Sequence, residues 1–237
     1  MVSVPADVFT TGIRLFWEVR EGQWFGQEAR GARDIGQRGA VTGGRHFDGM
    51  LMTIESLVAA AGVPAEWVHR RRPTLPCYYR PTKQWDLVVV DGERLLAAIE
   101  IKSQVGPSFG NNANNRVEEA LGSAVDLWTA FREGRFGTTR PWLGYLFVLE
   151  DCARVHGPTR IDEPHFPVEP AFAAASYAQR YELLCRRLVL ERQYDGACLL
   201  LTDRDHAQAQ PNYREPAADL GAEPFLRGLL GHLMAQI

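Results

Sequence analysis

The sequence has no apolar run near the roughly 18 residues that a membrane-spanning helix needs, and its opening, MVSVPADVFTTGIRLFW, has no basic segment leading into a continuous apolar one. A cytoplasmic protein without an export signal is the expectation. Cysteine is sparse: residues 77, 152, 185 and 198 form no CxxC pair and no Cys/His ligand spacing, which speaks against a zinc framework or a disulfide scaffold and leaves them as buried apolar fillers. The six histidines make no HxxxH pair, and no GxxxxGKS or GxxxxGKT is present, so neither a histidine-metal nuclease nor ATP-driven translocation is indicated. Positive charge is not in excess either. A formal net charge of -3 excludes a protein that coats nucleic acid, and any DNA site must be local. Lysine is the scarcest cation: of 26 Lys and Arg only two are lysines, Lys83 and Lys102. In a chain that defaults to arginine, a retained lysine supplies a compact, titratable ammonium.

What is present is an α/β pattern of 237 residues, enough to bury a sizeable core. Apolar periodicity predicts a first helix from Val8 to Arg20, then a polar, glycine-rich loop from Gly22 to Gly44, then a helix opened by Asp48 and ended by Gly62 that carries Glu55 on its polar face. Short strands are predicted at Cys77 to Arg80, Trp85 to Val90 and Leu95 to Ile101, followed by an asparagine-rich loop and a helix from Val117 to Arg132. The strand WLGYLFVLE, a proline-rich loop through Pro170, a helix from Phe172 to Gln193, the strand ACLLLT and a closing helix from Glu223 complete the order. That order, α-βββ-α-β with a C-terminal α-β-α, predicts a mixed central sheet flanked by helices: meander strands pair antiparallel, and strands reached through helices pair parallel. The expectation is a single domain over 1–237, with a core at about 46–150 and a C-terminal α/β extension at about 170–237.

The most informative stretch is Trp85 to Gln104, WDLVVVDGERLLAAIEIKSQ, because it keeps two carboxylates and an ammonium on an otherwise apolar hairpin. Glu100 and Lys102 are two apart on a strand and project from one face, with Ile99 and Ile101 on the other. A three-residue loop at Gly92-Glu93-Arg94 would set Asp86 directly across from Glu100, whereas a two-residue Asp91-Gly92 turn would oppose Asp86 to Ala97. Two adjacent carboxylates repel unless a cation lies between them. Asp86, Glu100 and the Ile101 carbonyl form a hard, all-oxygen set suited to Mg²⁺, and a lysine beside a metal-bound water can orient it or stabilise charge on a phosphorane-like transition state. The same Glu-x-Lys is also what an ordinary solvated ion pair on a strand looks like.

PTKQWD followed by AIEIKSQ resembles the PD-(D/E)xK nuclease signature, with Thr82 to Trp85 standing between the proline and the aspartate. The longer run IEIKSQVGPSFGNNANNRVEEALGSAVDLW, from Ile99 to Trp128, resembles the XhoI-type type II restriction endonucleases, and the likeness is strongest from about Gly36 to Leu149. The resemblance implies a Mg²⁺-dependent endonuclease acting as a homodimer on double-stranded DNA, with Asp86, Glu100 and Lys102 as the catalytic set and Glu55 as the accessory acid. It further implies the palindrome CTCGAG, cut after the first C to leave a 5′ overhang, and a companion methyltransferase that protects host DNA.

Base reading calls for asparagine on adenine and arginine on guanine. Asn111, Asn112, Asn114, Asn115 and Arg116 follow the catalytic strand, although asparagine and glycine are also ordinary turn residues. Arg45 and His46 stand at a helix start, read either as a phosphate contact, since amides there attract phosphate, or as a plain helix entry, and Arg70, Arg71 and Arg72 form the densest positive cluster, read either as a grip on the DNA backbone or as a solvated loop. Two alternatives accompany the restriction endonuclease: a repair or junction nuclease that cuts by structure, and a catalytically inactive DNA-binding protein on the same scaffold.

Overall fold

Strand β5, Arg94–Gln104, runs through the middle of the computed structural model, which describes residues 2–28 and 45–237. Every residue of β5 from Leu95 to Ile101 is buried, as an apolar strand with neighbours on both edges and helices on both faces must be. Antiparallel to it lies β4, Leu87–Asp91, and beyond that the short β1, Val68–His69. On its other edge come β6, Trp142–Glu150, and β7, Gly196–Thr202, both parallel, giving the order β1-β4-β5-β6-β7. The tight turn after β4 allows only antiparallel pairing, whereas helix α3, Gly110–Arg132, carries the chain back for the parallel step from β5 to β6. The expected mixed sheet flanked by helices is therefore what the chain forms.

Alternating side chains divide the core in two. Leu87, Val89, Ile99, Ile101, Leu146 and Cys198 face helices α1 (Thr10–Glu28), α2 (Asp48–Ala60) and α6 (Ala222–Met234). Val88, Ala98, Tyr145, Phe147 and Leu199 face α3 and α5 (Tyr177–Leu190), the latter preceded in the chain by the single-turn α4 (Ala153–His156). Gly144 of β6 pairs with Gly196 of β7, and the Trp142 ring lies across both: a Cβ at Gly196 would come within 2.6 Å of Trp142 Cζ2, and one at Gly144 would meet the same ring. Phe225 of α6 closes on that ring edge-to-face at 5.2 Å.

Four expectations are corrected. Helix α1 does not yield to a loop at Gly22 but continues to Glu28, because Gly22 and Gly26 each cost a helix only about 1 kcal/mol; the remainder of the glycine-rich segment, 29–44, lies outside the described residues. Cys77 to Arg80 is not a strand. It is the loop joining β2, Thr74–Pro76, to β3, Thr82–Gln84, a hairpin separate from the main sheet. Its amides are held by a side chain instead of a neighbouring strand: Asp126 Oδ1 of α3 accepts from the N–H groups of Tyr78 and Tyr79 at 2.7 and 2.9 Å, and Oδ2 from Arg80 Nε at 2.7 Å.

The asparagine run is not a loop but the first two turns of α3. Gln104 donates to the carbonyls of Ser108 and Phe109 at 3.0 and 2.8 Å, and Asn112 Nδ2 also donates to Ser108 O at 2.8 Å, so the helix starts from a fixed loop and the turn preference of asparagine is overridden. The helix expected from Phe172 starts later. Ser176 and Gln179 form a reciprocal capping box that sets the start of α5 at Tyr177, and it stops at Leu190, before Arg192 turns left-handed at φ 56°. Of the cysteines, all free, Cys185 and Cys198 are buried as expected, while Cys77 and Cys152 are partly exposed. Among the described residues no helix is long and apolar enough to cross a membrane.

Candidate active site

The register of the β4–β5 hairpin decides whether two carboxylates meet. The turn has two central residues, Gly92 and Glu93, closed by the pair Asp91↔Arg94, and Gly92 takes φ 56°, which favours glycine. Carried on unchanged, that register would leave Asp86 opposite Ile99. Instead the pairing shifts between Val89 and Val90: Val90 pairs with Leu95, Val89 with Ala97, and Leu96 is the extra residue of a β-bulge. From there Val88↔Ala98 and Leu87↔Ile99 follow, so Asp86 stands across from Glu100. The loop has the two residues of the shorter alternative, placed one position later at Gly92-Glu93, and the bulge yields the opposition that the longer loop would have given.

Asp86 is held there by the edge of β5. Its N–H donates to Ile99 O at 3.0 Å and its Oδ2 accepts from Ile101 N at 2.7 Å. Glu100, only 3% exposed, is enclosed by cations: Lys102 Nζ contacts Oε1, and Lys83 Nζ from β3 lies 2.6 Å from Oε2. Lys83 and Lys102 each cover one oxygen of the same carboxylate. The chain's two lysines thus converge on one carboxylate. Only their scarcity singled out Lys83 in the sequence, since nothing local to β3 shows that it reaches β5.

The electrostatics follow from this enclosure. Burial pushes the Asp86 carboxyl up to about 6, helped by the neighbouring Glu100 carboxylate. Burial pushes Glu100 in the same direction, but the ammonium groups of Lys102 and Lys83 outweigh it and hold Glu100 below the usual carboxylate range. Burial acts to lower Lys102, and Glu100 reverses that and raises it. A divalent cation fits the donor set: the Asp86 carboxyl and the ionised Glu100 carboxylate face each other and are both hard oxygen ligands.

The other candidates are placed as follows. Glu55 sits on α2, whose buried side belongs to the core on the opposite face of the sheet from Glu100, and its Oε1 lies 3.4 Å from Arg70 Nε. Arg70 also reaches Asp48 at 3.4 Å. Among the described residues no three His, Cys, Asp or Glu side chains cluster as metal ligands, and Arg70 is the ion-pair partner of Glu55. His46 is buried against the rings of Phe47 and Phe16, at 4.0 and 5.6 Å between centroids, and burial together with Arg20 and Lys102 lowers it to about 4, so it is neutral at pH 7. Arg45, Arg71, Arg72 and Asn115 are exposed, Asn114 Oδ1 accepts from Arg180 at 2.7 Å, Arg116 pairs with Glu119 at 2.6 Å, and Asn111 lies in the first turn of α3. Arg20, unremarked in the sequence, donates to Ser103 Oγ at 2.9 Å beside the end of β5.

Comparison with known proteins places this geometry in context. Residues 26–214 match the sequence-family model described as "Restriction endonuclease XhoI". The chain is 53% identical over 211 residues to the type II restriction enzyme BstVI of Geobacillus stearothermophilus, covering 86% of this chain and 94% of that protein. It is 50% identical over 184 residues to the type II restriction enzyme XhoI of Xanthomonas vasicola, covering 76% and 73% of the two chains. The type II restriction enzyme AbrI of Azospirillum brasilense is 45% identical over 157 residues, 65% of this chain and 70% of that one. No solved structure matches the chain significantly. A match over well more than half of its residues makes this chain a member of the restriction endonuclease XhoI family, hydrolases of the type II site-specific deoxyribonuclease class.

Proposed function

We propose that the protein is a homodimeric, Mg²⁺-dependent endonuclease built as a single domain on a PD-(D/E)xK core, which cuts both strands of CTCGAG after the first C. The observation that carries this reading is the facing pair Asp86 and Glu100 with Lys102 on the carboxylate. Type II restriction enzymes generally use divalent metal ions, and the donor set of Asp86, Glu100 and the Ile101 carbonyl favours Mg²⁺. Asp86 and Glu100 would hold such an ion, and the chemistry it would supply is activation of water and neutralisation of charge on the phosphate.

The chain's own residues supply the rest. Glu100, kept ionised by its lysines, and Asp86, fixed by the Ile101 amide, present oxygens in a constant geometry. Lys102, a quarter exposed, is the cation at the open edge that orients the attacking water and donates to the phosphate as its charge grows. Glu55 acts only through Arg70, holding the start of the 70–72 basic segment, where Arg71 and Arg72 grip the DNA backbone. Asn111, Asn112, Asn114, Asn115 and Arg116, all at the head of α3, are the candidates for base contact and Arg45 for a phosphate, with His46 supporting Arg45 from within the core. Leu121 and Val125, one turn apart on α3 and about two-fifths exposed, suit the axis of a second copy. A cytoplasmic location and a companion methyltransferase follow from a restriction role.

A pair of plasmids, one carrying a single CTCGAG and its twin lacking it, incubated with Mg²⁺ and with EDTA, tests the reading in one gel. Linearisation of the first plasmid alone, and only with Mg²⁺, is expected. Discrete cutting elsewhere removes the site, degradation without pattern points to a repair nuclease, and no cutting points to an inactive DNA-binding protein.

The raised Asp86 carboxyl also gives a signed pH dependence. A carboxyl that titrates at 3.8 unfolded and about 6 folded stabilises the fold below the lower value, and that stability is lost as pH rises through the upper one. A cation favours the ionised form. The rise in Tm produced by Mg²⁺ over EDTA is therefore expected to grow between these two pH values and then level off, and to stay flat in Asp86→Asn; a rise that shrinks with pH would contradict the assignment.

A further inference from the structure

Glu100 has one cation more than the reaction uses. Lys83 belongs to a hairpin that shares no strand pairing with the main sheet, yet its ammonium ends 2.6 Å from Glu100 Oε2 with the side chain only 10% exposed. Several contacts fix it there. Lys83 pairs with Leu75 across the hairpin, the hairpin loop hangs on Asp126 of α3, Trp85 N donates to Pro73 O at 2.9 Å, and the buried Trp85 ring lies 4.6 Å beneath the ammonium. An ammonium brought this deep by a second element, onto a carboxylate already paired with Lys102, needs more explanation than surface charge balance.

We infer that Lys83 is a tethered competitor of the divalent cation, seated on Glu100 Oε2 until the ion displaces it. The inference rests on the metal-site reading above. Lys83 covers Oε2 at 2.6 Å, so the lone pairs that the ammonium occupies are the ones a ligand bond to the ion would need. With both lysines in place, the two negative charges of Asp86 and Glu100 are matched by two positive ones, and the site has no net pull on a free cation. Removing Lys83 leaves one uncompensated negative charge and opens Oε2. The divalent ion and the ammonium are like charges drawn to one oxygen, and in a partly dry site their repulsion is large. Lys83 is in this sense a positioning residue, holding Glu100 in its ionised, aimed state while setting the threshold at which metal enters.

Titration calorimetry of Mn²⁺ into the full chain, without DNA, separates the two claims. Lys83→Met is expected to bind Mn²⁺ roughly tenfold more tightly than the wild type, a difference of about 1.4 kcal/mol, while Lys83→Arg, which keeps the charge, stays near the wild type. Glu100→Gln is expected to lose binding. Should Lys83→Met fail to fold, Lys83→Gln makes the same comparison. If Glu100→Gln loses binding but Lys83→Met binds no more tightly, the competition is overturned and the metal site stands. If Glu100→Gln binds as the wild type does, both fall.

Discussion

Glu100→Gln is expected to lower DNA cleavage by at least about a thousandfold, the scale on which a metal-ligating or charge-stabilising group acts in phosphoryl transfer. The amide has nearly the shape of the carboxylate, so the register of β5 and its pairing with β4 and β6 remain. What changes is charge. Lys83 and Lys102 would face each other across a neutral group, and a buried ion left without its partner costs about 1–3 kcal/mol here, because Lys102 can turn to water. A chain of this size would melt roughly 2–10 °C lower. Folded protein, by circular dichroism and melting, that still cuts within tenfold of the wild type would remove Glu100 from the mechanism.

The largest effect on stability is expected at Trp142. Its ring fills the space over Gly144 and Gly196 and meets Phe225, so Trp142→Ala empties a slot that no neighbouring Cβ can fill. Large-to-small changes of this kind cost about 3–5 kcal/mol, which corresponds to roughly 10 °C in Tm for a chain of this length. The paired glycines cannot collapse into the gap, which places the cost at the upper end. A fall of under about 3 °C would mean that α6 slides inward to heal the cavity.

The sheet was legible in the sequence because its strands are apolar and its connections short: WLGYLFVLE matches β6 residue for residue. That Glu100 and Lys102 share a face was legible because a period of two fixes it within one strand, whereas the opposition of Asp86 to Glu100 depends on the bulge at Leu96, which no local pattern signals. Lys83 was not legible either. Its position depends on how a separate hairpin docks, and that docking runs through Asp126, forty-odd residues away in α3. The asparagines misled because turn propensity is local and weak, whereas Gln104, a buried side chain from the preceding strand, fixes the loop from which the helix starts. For His46 the sequence left a phosphate contact and a plain helix entry both open, because burial is not written at a single position; Phe16 and Phe47, from two different elements, enclose it.

The bulge at Leu96 acts as a phase slip in the strand. Leu96 and Ala97, adjacent in the chain, both lie in the core beneath α1, α2 and α6, which an unbroken strand would forbid. Upstream of the slip, the hairpin tip keeps one parity of inside and outside, and downstream the catalytic half keeps the other. The strand should therefore tolerate length changes asymmetrically. Loss of one residue at the slip merely straightens the ladder and leaves Asp86 facing Glu100, whereas loss of one residue between Ala98 and Glu100 would turn Lys102 into the hydrocarbon layer on the far side of the sheet.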